Sequence, residues 1–253
     1  MSLITDDELE NSPVVANSLM NRDRRLRSYD RELGIDIVKI LRAVPSRPAR
    51  WLDLCCGSAN ALGEAAVLLG DEVEIVGVDL VGFFDCSPTP PRLRLITASV
   101  ATWRPDTRFD LITCVHGVHY VGDKLGLLAS AAGWLADDGL FVANFDVRSI
   151  RREDGAPAGR SLTAALRAAG LAYDGRNRRI SRSGRASVDL PYRFLGADDQ
   201  AGPNYTGQPA VDSYYEHLAG ARSKRRPGPR TKGPGPLSAR RPEDAPPKPG
   251  DAS

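Results

Sequence analysis

The spacing of apolar residues changes near residue 45, which divides the chain into two kinds of pattern. Apolar residues between positions 14 and 43 recur at helical spacing, and Gly34 is expected to divide this stretch into two helices. Pro45 and Pro48 follow, and they end the helical pattern because proline lacks a backbone N–H. The pattern therefore predicts a helical region ahead of the main body of the chain.

Beyond Pro48, short and almost wholly apolar runs alternate with helical patterns. Such strands are typical of a parallel sheet that is covered by helices on both faces. Two late strands, expected to form a hairpin around Gly184, and a last short helix or loop complete the pattern. The predicted strands are residues 49–54, 73–80, 93–98, 109–115 and 140–145, the predicted helices are 60–69, 124–135 and 161–169, the late strands fall within 171–195, and the last element spans 209–218.

Composition changes the picture mainly by exclusion. The chain has 42% hydrophobic and 26% charged residues, as ordinary globular proteins do. Its mean hydropathy is −0.30, and no apolar stretch approaches the ~18 residues of a membrane span. The first eight residues contain three acidic residues and no basic one, the reverse of the basic start of a secretory leader. The four cysteines include no C-x-x-C pair, so they predict neither a disulfide framework nor a metal site. We expect a cytoplasmic protein that has no membrane segment.

The formal net charge of +2 is divided unevenly along the chain. Residues 221–253 contain nine basic and three acidic residues, a net charge of +6, which leaves −4 for residues 1–220. The same segment has eight of the 19 prolines and no aromatic residue, so we expect it to be disordered. A nucleic-acid-binding arm is one interpretation. A variable, solvated tail is favoured, because a mildly acidic body does not suit a surface that binds phosphate backbones.

Two predicted strands end in residues that suit a nucleoside-bearing cofactor. The first runs into Asp53 and a turn of small residues, 55–59, which lets the backbone approach a ligand. The second ends at Asp79, and a carboxylate at that place can accept the hydroxyl protons of a ribose. The dinucleotide fingerprint G-x-G-x-x-G is missing, because only Gly57 and Gly63 occur, at the wrong spacing.

At these positions the sequence resembles the class I S-adenosylmethionine-dependent methyltransferases. Their first motif is an acid, an apolar residue and G-x-G-x-G, and the matching stretch is Asp53-Leu54-Cys55-Cys56-Gly57-Ser58-Ala59. Cys55 and Ala59 replace the two outer glycines with other small residues. Asp79 matches the ribose-binding acid of the family, and residues 109–123 follow its fourth-strand motif without a gap. Ser99-Val100 matches the adenine site, where the family often has Asp in place of Ser99.

The resemblance covers about residues 45–195 and implies an α/β fold: a doubly wound, seven-stranded, mostly parallel sheet of Rossmann-like type with an amino-terminal helical cap. We expect the cap in residues 1–44, the methyltransferase domain in 45–220 and the basic tail in 221–253. The resemblance also implies S-adenosylmethionine as the cofactor and a methyl acceptor that we expect to be a small molecule. The implied cofactor-binding residues are Asp53, Cys55, Gly57, Asp79, Leu80, Ser99, Val100, Val115 and His116.

Two histidines at the exit of the fourth strand are the candidate catalytic residues. His116 is expected either to line the sulfonium or to accept a proton from the substrate, since imidazole titrates near neutral pH. His119 matches a position at which the family commonly has a histidine with a packing role, and that interpretation is favoured. The structural alternatives are an Asp53 bonded to backbone N–H groups and an Asp79 that caps a helix.

Three other residues or segments keep two interpretations each. Residues 202–208 are unusually polar and aromatic for a late loop, so they predict either a cap over the substrate pocket or a packed connection. Tyr29 and Arg25, on the amino-terminal helices, are further candidates for such a cap. The identity of the acceptor does not follow from these residues, because substrate pockets on this fold are built from variable loops.

Three alternative functions remain open at this stage. A nicotinamide-dependent oxidoreductase uses a similar sheet, but the missing glycine fingerprint counts against it. A catalytically inactive methyltransferase-like protein that binds the cofactor without turnover is compatible with Cys55, Ala59 and Ser99 in place of the usual residues. An RNA methyltransferase that uses the basic tail is the third alternative.

Overall fold

The computed structural model describes residues 2–15, 24–86 and 89–218, so the predicted disordered tail and residues 16–23 of the first helical stretch lie outside the described residues. The described residues form ten strands and six α-helices. The strands are β1 (Ala49–Leu54), β2 (Val73–Asp79), β3 (Leu93–Thr97), β4 (Phe109–Cys114), β5 (Leu135–Asn144), β6 (Ile150–Arg152), β7 (Ala172–Asp174), β8 (Arg179–Ser183), β9 (Tyr192–Asp198) and β10 (Asp212–His217). The helices are α1 (Asp6–Glu10), α2 (Leu26–Leu33), α3 (Ile37–Ala43), α4 (Asn60–Leu69), α5 (Lys124–Trp134) and α6 (Gly159–Ala168).

Seven of these strands form one sheet in the order β3-β2-β1-β4-β5-β8-β7. β8 is antiparallel to both of its neighbours, and the other pairs are parallel. The fold class predicted from the sequence is confirmed. The strand order reverses between β1 and β4, and ligands of doubly wound sheets bind beside such a reversal, at the carboxyl ends of the strands.

The order of apolar residues explains why the central strands form here. In β1, Trp51, Leu52 and Leu54 are fully buried, as expected for a strand with helices on both faces. The bounds predicted for β1 and α4 match the structure residue for residue. Gly34 ends α2 in the left-handed region, with φ of 67°, and its N–H bonds the Asp30 carbonyl, which separates α2 from α3 as predicted.

The turn after β1 contains three residues with positive φ in five positions. Cys55, Gly57 and Ala59 have φ of 57°, 59° and 62°. A residue with a Cβ atom costs about 1–2 kcal/mol in this region, and glycine does not. Within this turn, the three positions at which the family has glycine are therefore the three with a left-handed backbone.

Two predictions for the last third of the chain are wrong. The hairpin of β7 and β8 turns at residues 175–178, and Gly184 lies just after β8, where its N–H bonds the Gly139 carbonyl at 2.7 Å. Residues 209–218 are not a helix or loop, because they contain β10. Three successive residues of β10, Ser213, Tyr214 and Tyr215, are all buried, so no helical or alternating pattern marks the strand in the sequence.

A second, three-stranded sheet was not expected at all. β10 lies between β6, to which it is parallel, and β9, to which it is antiparallel. One connection to the rest of the domain is Lys124, the first residue of α5, whose fully buried ammonium donates to the Val121 and Val211 carbonyls and to Ser213 Oγ at 2.8–2.9 Å. Tyr215 adds a hydrogen bond to Asp123 at 2.9 Å. The second sheet is therefore fixed to the start of α5, next to the carboxyl end of β4.

Among the ranges that the structure describes, every helix is too short or too polar to cross a membrane.

Candidate functional site

A cavity lies at the carboxyl ends of β1, β2 and β4 and encloses about 840 Å³ of empty space, part of it open to solvent. We call it the main cavity. Its lining residues are Leu9, Glu10, Val15, Arg24, Cys55, Asp79, Leu80, Val81, Val100, Ala101, Val115, His116, Gly117, Tyr120, Val121 and Gly122. Six of the predicted cofactor-binding residues are among them: Cys55, Asp79, Leu80, Val100, Val115 and His116.

Asp79 is held in place on the wall of this cavity by the backbone. One carboxylate oxygen accepts the N–H of Gly57 at 2.8 Å and the other accepts the N–H of Val81 at 2.9 Å. The side chain is 6% exposed, so its position is set by these contacts and by its neighbours. Gly57 itself does not line the cavity, and its contribution is the positive-φ turn that aims its N–H at Asp79.

Asp53 is not brought to the main cavity. It is fully buried and accepts hydrogen bonds from Tyr29 Oη at 2.8 Å and from Thr113 Oγ1, which in turn accepts from Trp51 Nε1 at 2.8 Å. The structural alternative, a carboxylate bonded to backbone N–H groups, is also wrong in its partners, because these partners are side chains. Burial raises the pKa of Asp53 to about 7, although both hydroxyl donors act in the opposite direction.

Ser99 is also set back from the cavity wall. Its hydroxyl donates to the carboxylate of Glu10 and accepts the N–H of Ala101 at 3.1 Å, while Val100 and Ala101 form the wall. Glu10, at the end of α1, lines the cavity in its place. The amino-terminal residues therefore contribute a carboxylate where the family often has one in the third-strand motif.

His116 lies on the wall of the main cavity and contacts groups from three other elements. Its backbone is left-handed, with φ of 60°, and its N–H donates to Asn144 Oδ1 at 3.2 Å. Its Nε2 lies 3.2 Å from Glu32 Oε2, and its Nδ1 lies 3.5 Å from Tyr205 Oη. Burial, followed by the charge of Arg24, lowers the pKa of His116, and Glu32 opposes that shift.

His119 is 1% exposed and lies behind His116, with 5.7 Å between the ring centroids. It does not line the main cavity. Burial, followed by the charges of His116 and Lys124, lowers the pKa of His119 to about 3, so the ring is neutral at ordinary pH. A role for His119 as a base that contacts the main cavity is not supported by this position.

The loop 202–208 reaches both histidines through Tyr205. Its ring centroid lies 6.2 Å from that of His116 and 5.4 Å from that of His119. The Arg178 guanidinium stands 4.1 Å from the Tyr205 ring centroid, in a cation–π contact. Arg25, by contrast, forms an exposed ion pair with Glu64 at 3.0 Å and is not part of the cavity wall.

Comparison with known proteins identifies the family of this sheet and cavity. A family model described as a methyltransferase domain matches residues 22–174, more than half of the chain. The chain belongs to this methyltransferase family. The family resemblance predicted from the sequence motifs is therefore confirmed. No curated protein matches its sequence significantly.

Solved structures resemble this chain at low sequence identity. YjhP from E. coli is 18% identical, with a TM-score of 0.39, and the match covers 52% of this chain and 55% of YjhP. CalS10, an amino pentose methyltransferase from Micromonospora echinaspora, is 23% identical, with a TM-score of 0.38 and coverages of 52% and 55%. The N-methyltransferase NodS from Bradyrhizobium japonicum is 14% identical, with a TM-score of 0.45 and coverages of 71% and 97%. The chain thus spans just over half the length of the first two proteins.

Sequence reasoning missed three charged residues of the site. Glu10 and Arg24 line the main cavity, and Glu32 contacts His116. All three come from the amino-terminal region, in which acidic and basic residues are frequent and follow no motif. No signal in the sequence distinguishes these three from their exposed neighbours, because their selection depends on how the helices pack across the sheet.

Proposed function

We propose that this methyltransferase transfers the methyl group of S-adenosylmethionine to a nucleophilic oxygen or nitrogen of a small molecule that binds beside His116. One observation carries the proposal. The Asp79 carboxylate, at the end of β2, is fixed on the wall of a cavity that opens at the left-handed turn after β1. A carboxylate at this place can accept both hydroxyl protons of a ribose.

The other residues of the main cavity suit the remaining parts of the cofactor. Arg24 is the cation on the wall and would bind the carboxylate of the amino-acid end, while Leu80 and Val100 offer apolar surface to the adenine. When bound, the cofactor supplies a methyl group on a positively charged sulfur, which makes that carbon an electrophile. The residues of this chain then need to position a nucleophile and receive its proton.

His116 is the residue that we assign to the proton. When Nε2 carries hydrogen and donates it to Glu32, Nδ1 is the acceptor on the same ring, and the substrate group would take the place of the Tyr205 hydroxyl that lies 3.5 Å from it. The lowered pKa of His116 keeps the ring neutral near pH 7, the form that can accept a proton from a hydroxyl or an ammonium group. Glu32 acts through His116 and is therefore a positioning residue.

The first test is calorimetry with S-adenosylmethionine and S-adenosylhomocysteine. The folded wild-type protein is expected to bind both, and Asp79→Ala is expected to weaken binding about 10- to 100-fold, since a hydrogen-bonded charge is lost. Asp137→Asn, which changes a carboxylate that is 82% exposed and paired with Arg185, is the matched control and should bind normally. Absence of binding by the folded wild-type protein, or unchanged binding by Asp79→Ala, would contradict the proposal.

The second test separates an enzyme from a binding protein. A panel of hydroxyl- and amine-bearing small molecules is incubated with S-adenosylmethionine, and formation of S-adenosylhomocysteine is measured. Turnover that is lost in His116→Ala supports the proposal. Cofactor binding without turnover on any member of the panel favours the inactive, cofactor-binding alternative, and binding of a nicotinamide dinucleotide in place of S-adenosylmethionine favours the oxidoreductase.

A further inference from the structure

The amino-terminal segment that ends in α1 lies against the main cavity and is held there by contacts with other elements. Ile4 and Ala197 of β9 exchange two backbone hydrogen bonds, both at 2.9 Å. Asp6 Oδ1 accepts the N–H of Asp123, the residue before α5, at 3.2 Å. The position of Glu10, the last residue of α1, is therefore set by the fold.

Glu10 presents a carboxylate that a ligand in the main cavity can reach. Its side chain is half-buried, and the residue lines the cavity. Ser99 Oγ donates to Oε1 of this carboxylate, which holds the group against the residues that follow β3. A carboxylate has two acceptor oxygens, so Oε2 can accept a hydrogen bond from a bound molecule.

The order of the strands places Glu10 at one end of the main cavity and His116 at the other. The strands run β3-β2-β1-β4, with Ser99 after β3, Asp79 at the end of β2 and His116 after β4. Neighbouring strands lie about 4.8 Å apart, so about 14 Å separate the ends of β3 and β4. In S-adenosylmethionine the ribose joins the sulfur to the adenine. A ribose on Asp79 with the sulfur toward His116 therefore directs the base toward Glu10.

The chemistry at this end of the cavity suits an amino group on an otherwise apolar ring. Leu80, Val100 and Ala101 form apolar wall there, and Glu10 is the carboxylate beside them. Adenine carries an exocyclic amino group, which donates hydrogen bonds, whereas hypoxanthine carries a carbonyl oxygen at the same position, which only accepts them. An ionised carboxylate can only accept, so it favours the amino group and opposes the carbonyl.

We propose that Glu10 accepts a hydrogen bond from the exocyclic amino group of the adenine and thereby sets the base specificity of the cofactor site, with Ser99 as its positioning residue. This inference rests on the proposed function, because it assumes that an adenosyl cofactor occupies the main cavity. Glu10 precedes residues 22–174, which the family model matches. The assignment therefore places a cofactor contact outside the matched residues, on a segment that packs onto the sheet from elsewhere in the chain.

The first experiment needs only the wild-type full chain. Calorimetry compares S-adenosylhomocysteine with S-inosylhomocysteine, in which a carbonyl oxygen replaces the exocyclic amino group. We expect the adenosyl compound to bind at least about tenfold more tightly, because the inosyl compound brings two acceptors together in the cavity. Equal affinity for the two compounds would overturn the proposal.

A substitution at Glu10 separates its carboxylate from other groups that could read the base. Glu10→Gln keeps the shape of the side chain, but its amide can present either an acceptor or a donor, so the preference for the adenosyl compound should fall below about threefold. Asp7→Asn is the matched control, because it removes a negative charge from an exposed position of the same helix that does not line the cavity. This control should keep the wild-type preference. A full preference retained by Glu10→Gln would contradict the assignment.

The same titrations distinguish this inference from the proposed function. Binding of S-adenosylhomocysteine together with equal binding of the inosyl compound refutes the role of Glu10 alone. Failure of the folded wild-type protein to bind either compound refutes the proposed function, and the role of Glu10 with it. Urea denaturation of each variant shows that it is folded, so a lost preference can be assigned to the carboxylate. The expected result is a preference in the wild type and in Asp7→Asn that Glu10→Gln loses.

Discussion

The main cavity is built differently from a second cavity, here called the side cavity, which is lined by residues that include His119, Asp146, Arg148, Asn204 and Asp212. The main cavity uses the ends of β1, β2 and β4, and its polar anchor, Asp79, accepts two backbone N–H groups. The side cavity joins segments that are far apart in sequence, and its charged side chains pair with one another, Arg148 with Asp146 and Arg151 with Asp212. A wall formed by strand ends is set by the sheet, whereas a wall formed by connecting segments varies more readily between proteins that share a fold.

The second sheet forms one side of the side cavity, through Arg151 of β6 and Asp212 of β10. Lys124 and Tyr215 bind β10 to the start of α5. Asp212 and the loop before it therefore lie near the carboxyl end of β4. Without that attachment, the wall of the main cavity that the ends of β1, β2 and β4 form would remain, and the side cavity would lose one side.

The largest expected effect is that of a substitution at Gly117, on the wall of the main cavity. A Cβ atom there would lie 2.3 Å from Cys55 Cβ and 2.9 Å from Cys114 Sγ, well inside van der Waals contact. Gly117→Ala should therefore destabilise the protein by about 3 kcal/mol, the upper part of the range for overpacking, and displace the turn that contains Cys55. Urea denaturation measures the stability, and calorimetry measures the accompanying loss of S-adenosylmethionine binding.

Gly133→Ala is the matched control for this substitution. Gly133 lies in α5, and a Cβ atom there would meet nothing within 4 Å. Alanine favours a helix by about 1 kcal/mol over glycine, so this variant should be as stable as the wild type or slightly more stable. Equal stability of Gly117→Ala and Gly133→Ala would show that the contact with Cys55 does not limit the cavity.

The second effect concerns the buried carboxylate behind the main cavity. The pKa of Asp53 is raised to about 7 from an ordinary value near 4, so the folded protein holds a proton that the unfolded chain has lost. The contribution of Asp53 to stability is therefore full below about pH 4 and is lost as the pH rises toward 7, at up to about 1.4 kcal/mol per pH unit. Asp53→Asn should remove this slope in urea denaturation series between pH 4.5 and 7.

The exposed Asp137 provides the comparison for that series. Its carboxylate is 82% exposed, and Asp137→Asn should leave the pH dependence of stability as in the wild type. If Asp53→Asn also leaves the slope unchanged, the proton does not reside on Asp53, and the hydroxyl contacts from Tyr29 and Thr113 dominate over burial. That result would contradict the expected order of the two effects.

The third effect tests whether Glu32 positions the base. Glu32→Gln keeps an oxygen near His116 Nε2 but removes the negative charge that raises the pKa of His116. We expect kcat to fall about tenfold with little change in KM, as is typical for the loss of a supporting residue. The pH below which kcat falls should also move lower, because a less basic His116 is protonated at lower pH.

A merely structural role for Glu32 would give a different result. Loss of packing alone would lower stability or raise KM without moving the acid limb of the kcat profile. Glu72→Gln is the control. Glu72 is an exposed partner of Arg42 and lies just before β2, at the end of the strand away from the cavity, so this variant should leave kcat and its acid limb unchanged. A tenfold loss of kcat with a fixed acid limb would contradict the positioning role.

Features that depend on residues close in sequence could be predicted from the sequence. The bounds of β1 and α4, the end of α2 at Gly34 and the position of Asp79 all follow from local periodicity and turn chemistry. β10 was missed because three of its successive residues are buried from both sides. Glu32 was missed because it acquires its contact with His116 only when helix α2 packs against the strand ends. Long-range packing, and not motif, decides those residues.

The smallest expected effect concerns Ala59, one of the two residues that replace glycine in the family's first motif. Ala59 is 1% exposed with φ of 62°, so Ala59→Gly removes a strain of about 1–2 kcal/mol. It also frees the unfolded chain, which costs about 0.5–1 kcal/mol, and loses a buried methyl group, which costs about 0.8 kcal/mol. These terms offset one another, so stability in urea should change by less than about 1 kcal/mol. Cofactor affinity should also stay the same, because Ala59 does not line the main cavity. An increase in S-adenosylmethionine affinity of tenfold or more would show instead that Ala59 weakens the site, and would favour the inactive, cofactor-binding alternative over an enzyme.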